Sequence, residues 1–200
     1  AFVADIVGFL TALQLAPTRL IGHSMGGRHA AMVAAAHPDL VHQVVIVDTA
    51  AEFPPARLAQ PAATPAPAQP ETFATFEEVV RHGMAQYPLT PEAELRHANY
   101  HNLYRGADGL WRWRWDMHLL EWRRRNRGLQ RDMYLSLKQI QCPTLLIRGQ
   151  HSPLLTPDVA QKMIQTLPHG RLVEIANAAH TVNADNAAQF HTATTAFLGE

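Results

Sequence analysis

The sequence predicts an α/β protein, a mostly parallel sheet flanked by helices, with one helical block inserted in the chain. Three observations predict it. Arg19-Leu20-Ile21 leads into Gly22-His23-Ser24-Met25-Gly26-Gly27, and behind it residues 28–36 are rich in helix formers and free of Pro and Gly. Residues 41–47 are almost continuously apolar and β-branched, the composition of a strand buried on both faces of a parallel sheet. After residue 140 short apolar runs and helical patterns alternate again.

Taken in order, residues 1–15 place Phe2, Ile6, Phe9, Leu10 and Leu13 at helical spacing, an amphipathic helix that stops before Pro17. Residues 18–21 form a short strand, and a helix from about 24 to 36 ends at His37-Pro38, which cannot continue it. The strand 41–47 follows and closes in Asp48-Thr49. Two strands joined by a helix of this length make a right-handed parallel unit. Between 53 and 70, Pro54, Pro55, Pro61, Pro65, Pro67 and Pro70 break any regular element, which predicts a semi-rigid or partly disordered connector.

From 71 to 139 the pattern is helical. Residues 72–84 carry Phe73, Phe76, Val79 and Val80 on one face. Residues 91–104 open with Thr90 as cap, Pro91 at the first helical position and Glu92 in the first turn. Further helices are expected over 116–125 and 129–137. Residues 108–116 alternate aromatic and basic side chains and read as an extended piece after a turn. The sheet then resumes with a strand over 142–148 followed by Gly149, a helix from Thr156-Pro157-Asp158 to 167, a strand over 171–175 and a helix over 183–198. The division is 1–52 and 140–200 for the core, with 53–139 as connector and helical block.

Composition narrows the function classes. Seventeen Lys and Arg balance seventeen Asp and Glu, so no overall field attracts nucleic acid or a membrane. The charge is uneven, with Arg112, Arg114, Arg123, Arg124, Arg125, Arg127 and Arg131 in one segment. The Trp-Arg-Trp-Arg-Trp run over 111–115 has the alternation of a nucleic-acid stacking surface, but zero net charge favours Trp side chains facing inward and Arg outward. The single cysteine, Cys142, forms no internal disulfide and fits a reducing, cytoplasmic compartment. No run approaches the roughly 20 apolar residues of a membrane span, and no secretory leader is apparent.

The chemistry gathers at few residues. Gly-x-Ser-x-Gly between a strand and a helix has the form of a nucleophile elbow. Gly22 and Gly26 are expected to remove side chains where the two backbones crowd, leaving Ser24 at the tip of a strained turn. The positive end of the following helix points at that serine. A serine hydroxyl needs an adjacent base. Of twelve histidines, His82, His97, His101 and His191 fall in helical segments, whereas His180 lies in a loop between a strand and the last helix. His180 is the candidate base.

The elbow, Gly149 and Asn177-Ala178-Ala179-His180-Thr181-Val182 together resemble the α/β-hydrolase superfamily, with nucleophile first and histidine last. The resemblance covers nearly the whole chain, most firmly residues 1–50 and 140–200. It implies an α/β-hydrolase fold in which the middle block is a cap lining the substrate pocket. In many such enzymes the acid follows the later strand as Gly-x-x-Asp, and here Ser152 stands at that position in Gly149-Gln150-His151-Ser152-Pro153. A subset of the family places its acid after an earlier strand, and the pattern is similar to that subset. Asp48 is therefore the expected acid, with Ser152 as an auxiliary hydrogen-bond partner. Asp158 and Asp185, both near helix starts, are weaker rivals.

The resemblance also implies that the backbone N–H of Met25 is one oxyanion donor. The second donor and several strands would precede Ala1, so the chain is expected to be the C-terminal part of a longer hydrolase. His23 is common in such elbows and is expected to pack beneath the oxyanion loop without chemistry of its own. The implied activity is cleavage of a small carboxylic ester or related acyl substrate through an acyl-enzyme, with no metal or organic cofactor. The same triad serves carbon–carbon bond hydrolysis and cofactor-free perhydrolysis, and a non-catalytic binding protein on this fold is the rival from another class. Epoxide hydrolases and haloalkane dehalogenases of this fold use a carboxylate nucleophile, which Ser24 argues against. Oligomeric state leaves no mark in the sequence.

Overall fold

The computed structural model describes residues 1–52, 70–116 and 133–199. In chain order the elements are α1 (Phe2–Ala12), β1 (Thr18–His23), α2 (Met25–Ala36), β2 (Val41–Val47), β3 (Thr72–Phe73), α3 (Phe76–Gln86), α4 (Glu92–Asn102), β4 (Leu103–Arg105), β5 (Trp111–Trp113), α5 (Met133–Gln139), β6 (Thr144–Gly149), α6 (Pro157–Thr166), β7 (Gly170–Ile175), α7 (Val182–Asp185) and α8 (Ala187–Leu198). They divide into two compact units, one made of the two ends of the chain and one of its middle.

The first unit is built on a four-stranded parallel sheet of order β1-β2-β6-β7. β2 lies inside it and is buried on both faces. Val44 and Ile46 pack with Ala31, Val33, Leu137 and Met163 from α2, α5 and α6. Val45 and Val47 pack with Ile175, Val182 and Phe197 on the other face. That alternation is the period of two of a pleated strand, and it makes the unit three layers, helix on sheet on helix. The polar residues that interrupt β2 are accounted for. His42 is exposed, and buried Gln43 donates to the Phe197 carbonyl at 3.2 Å and accepts from Arg19 Nε at 2.7 Å.

Local details differ from the sequence expectation. α1 stops at Ala12, and Gln14 beyond it takes φ 54°. The final helix is two pieces, because Asn186 (φ −142°, ψ 74°) leaves helical backbone and caps α8 by accepting from Gln189 N at 3.2 Å.

The second unit is not purely helical. Among the described residues it pairs α3 and α4 with a three-stranded antiparallel sheet of order β3-β5-β4. The single helix expected over 72–84 is a strand and then a helix: Phe73 pairs with Trp111, and Thr75 starts α3 with a capping box. Its Oγ1 accepts from Glu78 N at 3.2 Å while the Glu78 carboxylate takes the Thr75 N–H at 3.4 Å. α4 begins at Glu92 instead of Pro91, whose ψ of 141° is still extended. Trp111 and Trp113 pack around Phe73, Val79 and Leu103, and Arg112 between them pairs with Asp108 at 2.6 Å. That guanidinium, helped by the Leu110 N–H, holds the exposed Asp108 carboxyl down to about 2.

The Pro-rich connector apart from Pro70, the helix expected over 116–125 apart from Asp116, and the first part of that expected over 129–137 lie outside the described residues. Among the described residues no helix is long and apolar enough to cross a membrane, and no group of His, Cys, Asp and Glu is arranged to hold a metal ion.

Candidate active site

Parallel pairing brings the C-terminal ends of all four strands to one edge of the sheet, where α/β proteins place their ligands. His23 pairs with Val47, so Ser24 after β1 and Asp48 after β2 leave the sheet side by side. Gly149 pairs with Ile175, which brings the ends of β6 and β7 to the same edge.

Ser24 occupies the N-cap position of α2 with φ 54° and ψ −117°, a conformation that L residues rarely adopt. The turn is held from both sides. Ser24 N donates to the Val47 carbonyl at 2.9 Å, and the Thr49 hydroxyl donates to the Ser24 carbonyl at 2.8 Å. A Cβ at Gly22 would run into the Gly26 carbonyl, and one at Gly27 would overlap the Thr49 hydroxyl. One expectation is corrected here. Gly26 is exposed, and a Cβ there would meet nothing within 4 Å, so the crowded pair is Gly22 and Gly27. The helix turns Gly27, one residue later, toward the strand.

Asp48 is fully buried and takes φ 43°. Its carboxylate accepts three hydrogen bonds. Oδ2 takes His180 Nδ1 at 2.8 Å and the Ser152 hydroxyl at 2.6 Å, and Oδ1 takes the Gly149 N–H at 3.1 Å. His180, about one-quarter exposed, turns Nε2 to Ser24 Oγ at 3.1 Å. Since the carboxylate only accepts, Nδ1 carries the proton and Nε2 presents its lone pair to the serine. Ser24, His180 and Asp48 thus form one hydrogen-bonded line. Met25 is the first residue of α2, where N–H groups have no acceptor within the helix.

Ser152 bonds the same Asp48 oxygen that receives His180. Its hydroxyl accepts from Leu154 N at 3.2 Å and Leu155 N at 3.1 Å, which leaves its proton for Asp48. The rival carboxylates are placed elsewhere. Asp158 is exposed in the first turn of α6. Asp185 accepts from Ala179 N at 2.7 Å and thereby secures the loop that carries His180. That loop sits directly on the end of β6: a Cβ at Gly149 would overlap the carbonyls of Ala178 and Ala179.

His23 has more contact with the site than the sequence indicated. Its Nε2–H donates to the His180 carbonyl at 2.7 Å, and the two rings lie 4.6 Å apart at 41°. Burial, and then the neighbouring His180, push its pKa below the ordinary histidine value. Thr49 is the other residue that sequence reasoning passed over. Its only signal was adjacency to Asp48, and the hydroxyl's reach to residue 24 needs the strand pairing to be known.

Comparison with known proteins agrees with this arrangement of strands and helices. Residues 1–187 match the alpha/beta hydrolase fold family, and the chain belongs to that family. An sn-1-specific diacylglycerol lipase of Mus musculus is 28% identical over 99% of this chain and 64% of its own length. A 2-(acetamidomethylene)succinate hydrolase of Mesorhizobium japonicum is 28% identical over 91% of the chain, again covering 64% of the relative. The crystal structure of an E-2-(acetamidomethylene)succinate hydrolase superposes with a TM-score of 0.88 at 26% identity, over 99% of this chain and 72% of the other. The chain spans under two thirds of the length of the first two relatives.

Proposed function

We propose that the protein is a serine hydrolase that cleaves a small carboxylic ester or related acyl compound through an acyl-enzyme. The observation that carries this reading is the line from Ser24 Oγ to His180 Nε2 (3.1 Å) and from His180 Nδ1 to Asp48 Oδ2 (2.8 Å). Similarity to proteins named as a lipase and as a hydrolase supports the hydrolase part of this reading.

In this mechanism Ser24 Oγ attacks the acyl carbonyl as its proton passes to His180 Nε2. The carbonyl oxygen, now an oxyanion, is held by the Met25 N–H at the positive end of α2. His180 returns the proton to the leaving alcohol, and the C–O bond breaks to leave Ser24 acylated. Water, deprotonated by the same imidazole, then attacks the acyl carbon, the bond to Ser24 Oγ breaks as His180 returns the proton to that oxygen, and the acid is released. Asp48 keeps the imidazole in the required tautomer and stabilises its cationic form. Ser152 and the Gly149 N–H hold that carboxylate in place. The middle of the chain, read from the sequence as connector and cap over residues 53–139, is the part that selects the substrate, except for α5, which packs on the sheet with Val44 and Ile46. No metal or organic cofactor enters these steps.

A fluorophosphonate probe and a p-nitrophenyl ester test this reading on the purified protein. Ser24→Ala should abolish both labelling and turnover. Asp48→Asn should lower kcat by about 10³–10⁴-fold by reversing the imidazole tautomer. Ser152→Ala, which leaves Asp48 two of its three donors, should cost much less. Turnover that persists in the Ser24→Ala protein would rule the mechanism out.

A further inference from the structure

We infer that Thr49 is a positioning residue that aims the oxyanion-binding N–H of Met25, through the peptide unit joining Ser24 to Met25. The inference rests on the reading of Ser24 as nucleophile and Met25 N–H as oxyanion donor. The Ser24 carbonyl and the Met25 N–H are opposite ends of one planar group. Whatever fixes the direction of the oxygen fixes the direction of the N–H.

Ser24 needs such a fixture. Its φ of 54° and ψ of −117° lie outside the basins that L residues occupy without strain, and a conformation of this kind persists only where its surroundings hold it. ψ is the angle that swings the Ser24–Met25 peptide. The carbonyl of that peptide accepts the first bond of α2, from Arg28 N, at 3.2 Å. The Thr49 hydroxyl approaches closer, at 2.8 Å, with a second and longer approach to the Val47 carbonyl at 3.1 Å. Val47 O in turn accepts the Ser24 N–H. Both peptides flanking the nucleophile are therefore tied to residues 47–49, the stretch that also delivers Asp48.

Two further observations agree. Thr49 is buried, 4% exposed, so water does not compete for its proton. Its hydroxyl occupies space that exists only because residue 27 has no side chain. Donation into the Ser24 carbonyl also polarises the peptide and strengthens the opposite N–H as a donor.

The test replaces Thr49 by Val, which keeps the shape and removes the hydroxyl, and by Ser, which keeps the hydroxyl. Thr49→Val should lower kcat about tenfold at nearly unchanged KM, less than the 10²–10³ that follows outright removal of an oxyanion donor. Inhibition by an alkyl boronic acid, whose adduct at Ser24 is a tetrahedral boronate bearing an oxygen where the oxyanion would sit, should weaken by a similar factor. Thr49→Ser should restore both. If the valine variant does not fold, Thr49→Ala is read by the same two ratios. Equal kcat and boronate inhibition in wild type and Thr49→Val, or a serine variant as impaired as the valine one, would overturn the inference. Failure of the underlying reading is distinguishable, because it appears as activity retained in Ser24→Ala.

Discussion

At the scale of single residues, the site is governed by hydrogen-bond capacity. Ser152 offers one donor and two acceptor positions. Backbone N–H groups of Leu154 and Leu155 take the acceptor positions, so its proton has only Asp48 to go to. Asp48, fully buried, has hydrogen-bond donors on both of its carboxylate oxygens, which is the condition for burying such a group. His23 follows another logic. Its pKa is held down by burial and then by His180, with its hydrogen bond to the His180 carbonyl and the charges of Asp48 and Asp185 acting in the opposite sense. An unfolded histidine takes up its proton near pH 6.5, whereas folded His23 resists until the pH is lower. Stability is thus full above about pH 6.5 and falls as pH drops from there toward the folded value. His23→Gln, whose amide can still donate to His180, should show a shallower loss of urea midpoint between pH 7 and 5. Identical pH dependence in the two proteins would contradict this.

At the scale of elements, glycines decide where backbones meet. Gly149 ends β6, gives its N–H to Asp48 and lies against the carbonyls of Ala178 and Ala179. Gly149→Ala would push the His180 loop off the strand end, and because the contacts are backbone, no rotamer change relieves them. Turnover should fall at least as far as for Asp48→Asn, with a clear drop in melting temperature, both read on the same preparation. The elbow illustrates how sequence and structure divide the work. Strand, Gly-x-Ser-x-Gly and helix were legible as a turn carrying an exposed serine. Which glycine is crowded was not, because that depends on where Thr49 of the neighbouring strand end falls. The helix expected over 72–84 failed for a similar reason. Phe73 has the spacing of a helical face, yet its pairing with Trp111 holds the backbone extended until Thr75 caps α3.

At the scale of the whole molecule, the parallel sheet and its two helical layers convert short loops into one site. Ser24, Asp48 and His180 are separated by up to 156 residues in the chain, and only the common direction of the strands collects them at one edge. Stability of that frame should track burial. Leu146→Ala, at a fully buried position of β6, should cost about 2–5 kcal/mol in urea unfolding. Leu135→Ala, 59% exposed on α5, should cost about 0.5 kcal/mol or less. By itself the sequence determined the alternation of strand and helix, the serine at a strained turn, and the histidine in the final loop. These rest on periodicity and on local backbone rules that act within a few residues. Tertiary structure alone decided that Ser152 serves Asp48 and not the imidazole, that Asp185 fastens a loop, and that Thr49 holds the Ser24 carbonyl. The Ser152 and Thr49 contacts join side chains to a carboxylate and a backbone carbonyl far away in the chain, so their geometry exists only once the strands are in register. The Asp185 contact spans six residues and depends on how the loop after β7 folds back on itself.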